Sequence, residues 1–196
     1  MEKFYLIVGH VDWIARLVPL GVKLVQLRIK DTPIDEVRAQ IRRAKQICDA
    51  HGCRLIVNDY WQIAIDEHCD FVHLGQEDMD EADFAVIRAA NIRFGLSTHD
   101  EGELDRALSF NPAYVALGPV YPTILKKMKW APQGLERVTR WKQMVGDVPL
   151  VGIGGLSVER APGVLAAGAD SVAVVTDIQF ADNPEARTRE WIKTCS

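Results

Sequence analysis

Short apolar runs alternate along this chain with segments in which apolar residues recur every three or four positions. The runs are rich in valine, isoleucine and leucine without clean apolar–polar alternation, which is typical of strands buried on both faces of a parallel sheet. We predict strands at residues 4–8, 24–29, 54–58, 71–74, 94–97, 114–117, 150–153 and 171–175. The amphipathic segments predict helices at residues 12–20, 34–50, 62–67, 83–90, 101–109, 135–145, 158–167 and 184–194.

The alternation of strand and helix indicates an α/β protein, and two architectures are compatible with it. Eight strand–helix units in 196 residues predict a compact (β/α)8 TIM barrel, and residues 1–196 form a single domain because no linker or low-complexity segment divides them. An open doubly wound sheet is the alternative, and it would gather its ligand-binding groups mainly at one switch point. Such groups follow most of the strands here, which favours the barrel.

Polar, charged or glycine residues stand at the ends of six predicted strands. They lie in the segments 26–30, 58–59, 73–78, 97–99, 118–119 and 154–155. The carboxyl ends of the strands form one face of a parallel barrel, and the active sites of such barrels are built there. The pattern therefore predicts an enzyme, although no serine–histidine–acid arrangement supports nucleophilic catalysis.

Two aspartates, Asp59 and Asp78, each come shortly after a predicted strand. Two carboxylates, completed by water and substrate phosphates, are a common way to hold Mg²⁺ in a protein. The alternative is that one or both of them cap a helix N-terminus. Taken together in this setting, the pair favours a magnesium site.

Gln26, Arg28 and Lys30 occupy alternate positions of the second predicted strand, so their side chains are expected on the same face. The guanidinium of Arg28 can hold phosphate oxygens bidentately, and the ammonium of Lys30 can act as a point charge. A solvated strand end is the alternative. The functional interpretation is a site for an anionic substrate group.

The glycines of residues 152–155, with Val175 and Thr176 after the last strand, predict a phosphate site. Backbone N–H groups after the seventh and eighth strands bind phosphate in many barrels, and glycine lets the backbone approach the oxygens closely. Tight-turn packing is the alternative explanation of the glycines. The aperiodic connection 120–134 is long enough to be a binding segment or a lid.

Composition narrows the class of partner. The formal net charge of −4 argues against nucleic acid as a general partner, and no apolar run reaches the length of a membrane span. The four cysteines show no metal-binding spacing, so free thiols in the cytoplasm are expected. The partners predicted are small molecules, with no nucleic acid and no membrane, and the sequence leaves a homo-oligomer open.

Seven segments, taken in order, resemble the thiamine phosphate synthase family over about residues 4–178. They read QLRIK at 26–30, ND at 58–59, HLGQED at 73–78, STH at 97–99, GPVYPT at 118–123, APQGL at 131–135 and GIGG at 152–155. The resemblance implies a barrel enzyme of thiamine biosynthesis, a transferase that joins a pyrimidine diphosphate to a thiazole phosphate and releases diphosphate. It also implies Mg²⁺ as the cofactor.

The resemblance assigns roles to the residues at matching positions. Contacts to the pyrimidine diphosphate fall on Gln26, Arg28, Lys30, Asn58, Ser97 and Lys126. Of these, Arg28, Lys30, Ser97 and Lys126 are expected to act in catalysis, where the cations stabilise the charge that grows on the departing diphosphate. Binding of Mg²⁺ falls on Asp59 and Asp78, and contacts to the thiazole phosphate fall on Thr123, Gly155, Val175 and Thr176.

Two positions depart from the family pattern, both on the thiazole side. Leu125 stands where the family has a threonine, and the lost hydrogen bond to phosphate would cost roughly 1.5–3 kcal/mol. Asp177 stands where the family has alanine and adds a negative charge near the expected phosphate. These departures keep open a catalytically weak protein that binds thiamine precursors. A TenI-like thiazole tautomerase is the alternative within the same fold, and it should not need Asp59, Asp78, Arg28 and Lys126 together.

Overall fold

The computed structural model describes residues 1–123 and 131–196 and has a parallel barrel at its centre. Within these residues eight strands close in sequential order, each paired with the next and the eighth with the first. The strands are β1 (Phe4–Val8), β2 (Leu24–Leu27), β3 (Arg54–Asn58), β4 (Phe71–Leu74), β5 (Arg93–Thr98), β6 (Tyr114–Leu117), β7 (Leu150–Ile153) and β8 (Ser171–Val174). The predicted TIM barrel is confirmed.

Helices pack around the outside of the barrel. They are α1 (Val11–Leu17), α2 (Ile34–His51), α3 (Trp61–Asp66), α4 (Asp78–Glu81), α5 (Phe84–Ala89), α6 (Glu101–Ser109), α7 (Gly134–Val145), α8 (Ala161–Ala166), α9 (Thr176–Gln179) and α10 (Pro184–Thr194). The single turns α4 and α9 were not predicted, because four residues are too few to show a helical period. No helix within 1–123 and 131–196 is both long and apolar enough to cross a bilayer.

The second strand is two residues shorter than predicted. It ends at Leu27, and only the N–H of Arg28 continues the ladder, donating to Val8 O over 2.8 Å. The neighbouring strand β1 stops at Val8, so the backbone beyond Arg28 has no partner strand on that side. Arg28 and Lys30 therefore lie in the segment after β2 rather than on the strand.

Two layers of buried side chains hold the barrel together. The larger fills the space between strands and helices and includes the fully buried Trp141 and Trp191. The smaller lies inside the barrel, where Tyr5 and Tyr114 meet edge to face at 6.0 Å between ring centroids. The interior of the barrel is thus partly aromatic and carries two phenol hydroxyls.

Candidate active site

The residues predicted for the site lie at or beyond the carboxyl ends of the strands, which all point to one mouth of the barrel because the strands are parallel. This holds for Gln26, Arg28, Lys30, Asn58, Asp59, Asp78, Ser97, Thr123, Gly155, Val175 and Thr176. Lys126 and the departure at Leu125 lie outside the described residues. The barrel therefore gathers the described candidates from seven different strand ends.

Asp59 and Asp78 form a pair of close carboxylates. Lys30 Nζ is ion-paired with Asp59 Oδ2, and the N–H of Gly75 donates to Asp78 Oδ2 over 3.0 Å. Burial, and next the charge of Asp59, raise the pKa of Asp78. Neither aspartate caps a helix, because the N-cap positions of α3 and α4 are Tyr60 and Glu77. The capping alternative is therefore wrong for both.

Asp59 also has an unusual backbone conformation. Its φ angle is 65°, in the left-handed region that residues other than glycine seldom occupy, and Asp and Asn are among those that tolerate it best. Its N–H donates to His73 O over 2.9 Å, in line with the pairing of β3 with β4. The turn directs the chain from the end of β3 into α3 immediately after the carboxylate.

A chain of hydrogen bonds crosses the barrel interior below this mouth. Gln26 Nε2 donates to Tyr5 Oη over 2.7 Å, and Tyr5 Oη lies 2.9 Å from Tyr114 Oη. His73 then joins Tyr114 Oη to its Nδ1 over 2.7 Å and Ser97 Oγ to its Nε2 over 2.8 Å. The chain ends at Ser97, one of the predicted catalytic residues, on β5.

The buried members of this chain are held in their neutral forms. Burial, and next the charge of Arg28, lower the pKa of His73 to about 4. Burial raises the pKa of the Tyr5 and Tyr114 phenols. At neutral pH the chain therefore consists of a neutral imidazole and two protonated phenols.

Gly95 makes room for the centre of the chain. A Cβ built on Gly95 would overlap the ring of Tyr114, which faces it across the β5–β6 pair. The same ring stacks on the imidazole of His73 at 5.5 Å between centroids. The position of Tyr114, and through it that of His73, depends on the absence of a side chain at residue 95.

A cavity of about 490 Å³ lies beside β7 and β8, where the phosphate site was predicted. Thr123, Gly155 and Thr176 line it together with Arg160. Gly155 has a φ angle of 64°, and a Cβ there would overlap Pro122 O. Arg160 Nη1 donates to Gly155 O over 2.6 Å, which brings a positive charge to this cradle.

Asp177 lines the same cavity, but its carboxylate is fully engaged by α10. Arg187 binds it through two hydrogen bonds, Nε to Oδ2 at 2.9 Å and Nη2 to Oδ1 at 3.0 Å. The indole Nε1 of Trp191 donates to Asp177 Oδ2 over 2.7 Å. The carboxylate of Asp177 is thus paired with an arginine that also binds Glu159 and Glu190, and the residue serves to attach α10 to the barrel.

Another cavity, of about 630 Å³, opens at the opposite end of the barrel, where the strands begin. It is lined by strand-start residues that include Arg54, Phe71, Arg93 and Tyr114. None of the predicted site residues that the structure describes lines it. Within residues 1–123 and 131–196, none of the predicted site residues therefore belongs to the cavity at the strand starts.

Sequence reasoning missed Tyr5, Tyr114 and Arg160. The tyrosines sit inside apolar runs, where they read as ordinary core residues, and only the closed barrel brings their hydroxyls together. Arg160 lies in a segment that was predicted to be helical, whereas α8 begins only at Ala161. The one available signal was the position of Arg160 five residues after Gly155, within reach of the glycine turn.

Comparisons with known proteins agree with this geometry. The thiamine monophosphate synthase family matches residues 4–178. A thiamine-phosphate synthase of Rhizobium etli is 64% identical over 98% of this chain and 94% of its own, and one of Enterobacter sp. is 47% identical over 96% and 90%.

A solved thiamine phosphate pyrophosphorylase from Pyrococcus furiosus superposes with a TM-score of 0.87 at 26% identity, covering 98% of this chain and 95% of its own. The matches confirm the predicted enzyme class, that of thiamine phosphate synthesis. With a family match over most of its length and close relatives over nearly all of it, the chain belongs to the thiamine monophosphate synthase family.

Proposed function

We propose that this enzyme joins an aminopyrimidine diphosphate to a thiazole phosphate, with Mg²⁺ bound by Asp59 and Asp78. The observation that carries the proposal is the pair of close carboxylates, with Lys30 bound to one of them, at the carboxyl mouth of the barrel. The cavity with Gly155 lies at the same mouth and would take the second substrate. The family membership of the chain supports both assignments.

The two carboxylates fit a small divalent cation. Burial, and next the charge of Asp59, raise the pKa of Asp78. The two carboxylates therefore repel each other when both are ionised, and a cation between them would relieve that repulsion. Residues 1–123 and 131–196 contain no group of three or more metal-binding side chains. Mg²⁺ suits such a site because it takes one or two carboxylates and completes its shell with water and substrate phosphates.

The reaction breaks one bond and forms another. The C–O bond between the pyrimidine methylene and the diphosphate breaks, and the electron pair leaves with the diphosphate. The lone pair of the thiazole nitrogen then forms the new C–N bond, so no proton is transferred in either step. This is why the site needs cations and hydrogen-bond donors around the leaving group rather than a general base.

The residues of the mouth divide this work. Arg28 and Lys30 would stabilise the charge on the diphosphate oxygens, and Ser97 would add a hydrogen bond. Lys126 is given the same electrostatic role by the family resemblance. When bound, Mg²⁺ would neutralise further charge on the leaving group.

The remaining contacts would position the two rings. Gln26 and Asn58 would hold the pyrimidine diphosphate. Thr123, Gly155, Val175 and Thr176 would hold the thiazole phosphate, with Arg160 at the rim of that cavity. Fixing the two rings and excluding water favours capture of the pyrimidine by nitrogen over hydrolysis.

A two-substrate assay tests the proposal. The full chain is incubated with both substrates, with and without Mg²⁺, and thiamine phosphate and diphosphate are measured together. We expect both products only with Mg²⁺, and we expect Asp78→Ala to lower kcat by on the order of a hundredfold or more because the cation is lost. Asp80→Ala, which removes an exposed carboxylate from the same short helix, is the matched control and should stay close to the parent.

Other outcomes would point to the other functions. Binding of either substrate without any product in the presence of Mg²⁺ would refute the proposal and favour a precursor-binding protein. Isomerisation of the thiazole phosphate without the pyrimidine diphosphate would favour a tautomerase.

The proposal extends to a cytoplasmic setting with small-molecule partners, and the four free, buried cysteines suit a reducing compartment.

A further inference from the structure

The hydrogen-bond chain inside the barrel has a direction that can be worked out from its members. Gln26 Nε2 is an amide nitrogen, so it can only donate, and Tyr5 Oη accepts from it. The hydrogen of Tyr5 then has Tyr114 Oη, at 2.9 Å, as its acceptor among the described residues. A buried hydroxyl hydrogen without an acceptor is unfavourable, so Tyr5 donates to Tyr114.

The same reasoning shows which of its two hydrogen bonds His73 accepts and which it donates. The hydroxyl of Tyr114 accepts from Tyr5 and therefore donates to His73 Nδ1 at 2.7 Å. An imidazole nitrogen that accepts carries no hydrogen, so the proton of the neutral ring is on Nε2. The Nε2–H group then donates to Ser97 Oγ at 2.8 Å.

We infer that this chain fixes Ser97 as a hydrogen-bond donor toward the diphosphate, with Tyr5, Tyr114 and His73 as positioning residues. Ser97 Oγ already accepts from His73, so its own hydrogen is left to point to another acceptor. The acceptor that we infer for this hydrogen is the diphosphate of the substrate, so the inference rests on the proposed function. The buried amide of Gln26, at one end, sets the direction of the hydroxyl at the other end.

The derived direction of the hydrogen bonds suits an anionic ligand such as the diphosphate. With the opposite polarity, Ser97 would donate to His73 and would turn only its lone pairs toward an anionic diphosphate, which would be repulsive. With the derived polarity, Ser97 adds a donor beside the cations Arg28 and Lys30. The derived polarity requires a neutral ring, which accepts at Nδ1 and donates at Nε2.

The geometry of the barrel also protects this arrangement. Tyr5 and Tyr114 are 1% and 0% exposed, so water does not compete for their hydroxyls. Gly95 leaves the space that the Tyr114 ring occupies, and the carbonyl of Ser97 is bound by Gln76 Nε2 over 2.6 Å. Both ends of the last link are therefore held by separate contacts.

The tautomer of His73 is the direct test. The chain has five histidines, so ¹⁵N-histidine labelling gives a simple spectrum, and the His73→Gln variant identifies the His73 signals by their disappearance. We expect the neutral tautomer with the proton on Nε2 at pH 7, without any substrate. A proton on Nδ1, or an imidazolium at that pH, would overturn the inference.

The Tyr114→Phe variant tests the link to catalysis. It keeps the ring but removes the hydroxyl that donates to Nδ1, so we expect the His73 signals to show a mixture of tautomers and kcat/KM for the pyrimidine diphosphate to fall roughly tenfold or more. Thr188→Val removes a buried hydroxyl from α10, far from the chain, and should change neither reading. An unchanged tautomer with unchanged kcat/KM in Tyr114→Phe would refute the inference.

The two proposals can fail separately. The tautomer is measured on the unmodified protein and requires neither catalysis nor correct folding of the Tyr114→Phe variant. A protein with the expected tautomer that makes no thiamine phosphate would refute the proposed function and leave the fixed hydroxyl in place. A protein that makes thiamine phosphate with His73 protonated on Nδ1 would do the reverse.

Discussion

The pKa values of two residues in this barrel, Asp78 and His73, are shifted mainly by burial. Burial raises the pKa of Asp78 and lowers that of His73, so each group is pushed toward its neutral form. The two residues differ in their surroundings. Asp78 lies beside Asp59 at the mouth of the barrel, where the proposed Mg²⁺ would bind, whereas His73 is 8% exposed and bound by neutral hydroxyls.

The low pKa of His73 predicts a pH dependence of stability. Folding lowers this pKa from 6.5 to about 4, so the unfolded chain binds more protons in between. Above pH 6.5 the ring is neutral in both states, and as the pH falls toward 4 the unfolded chain is favoured because it takes up the proton. By linkage, the free energy of unfolding decreases by roughly 3 kcal/mol over that range.

Denaturant unfolding at several pH values between 7.5 and 4.5 measures this effect. The His73→Gln variant is expected to be less stable at pH 7.5, because the chain is disturbed, but to lose less stability as the pH falls. Parallel losses in the parent protein and the variant would show that His73 does not titrate in this way.

Strand β5 shows how an element can be shaped by its neighbour's side chain. Its residue 95 pairs with Tyr114 on β6, and the glycine there lets the aromatic ring lie directly over the β5 backbone. We predict that Gly95→Ala lowers the free energy of unfolding by about 1–3 kcal/mol, as expected for overpacking. It should also reduce activity, because Tyr114 and His73 would have to move.

A glycine elsewhere provides the control for that substitution. Gly163 lies in α8, and a Cβ there would meet Leu135 Cδ1 at an ordinary contact distance of 3.6 Å. Gly163→Ala should therefore be neutral or should stabilise the protein by about 0.5–1 kcal/mol, since alanine is the better helix former. Equal effects of the two substitutions in a thermal or denaturant unfolding experiment would contradict the steric argument.

Asp177, in the short helix α9, joins that helix to α10. Its carboxylate accepts from Arg187 and from the indole of the fully buried Trp191. We predict that Asp177→Ala, which restores the family's usual residue, costs about 1–3 kcal/mol because it leaves the indole N–H of Trp191 without its acceptor. Arg187 loses one carboxylate partner but keeps Glu159 and Glu190. Asp182→Ala, an exposed carboxylate nearby, should change the free energy of unfolding by less than about 0.5 kcal/mol.

For the whole molecule, the features predicted best are those that repeat. Buried parallel strands produce apolar runs, and eight of them in alternation with helices leave few architectures, so the barrel was predicted correctly. The chain from Gln26 to Ser97 was not, because it depends on which side chains face one another across the closed barrel. Tyr5 and Tyr114 are 109 residues apart, and no local pattern connects them.

The left-handed backbone of Asp59 bears on how such a site can change in evolution. Most other amino acids at this position would lower the free energy of unfolding, because their side chains disfavour the left-handed backbone conformation. Asparagine tolerates the same conformation and has nearly the same shape without the charge. Asparagine at residue 59 would therefore remove the charge proposed to hold Mg²⁺ and keep the turn that follows β3. A bulky or β-branched residue there would disturb the turn itself.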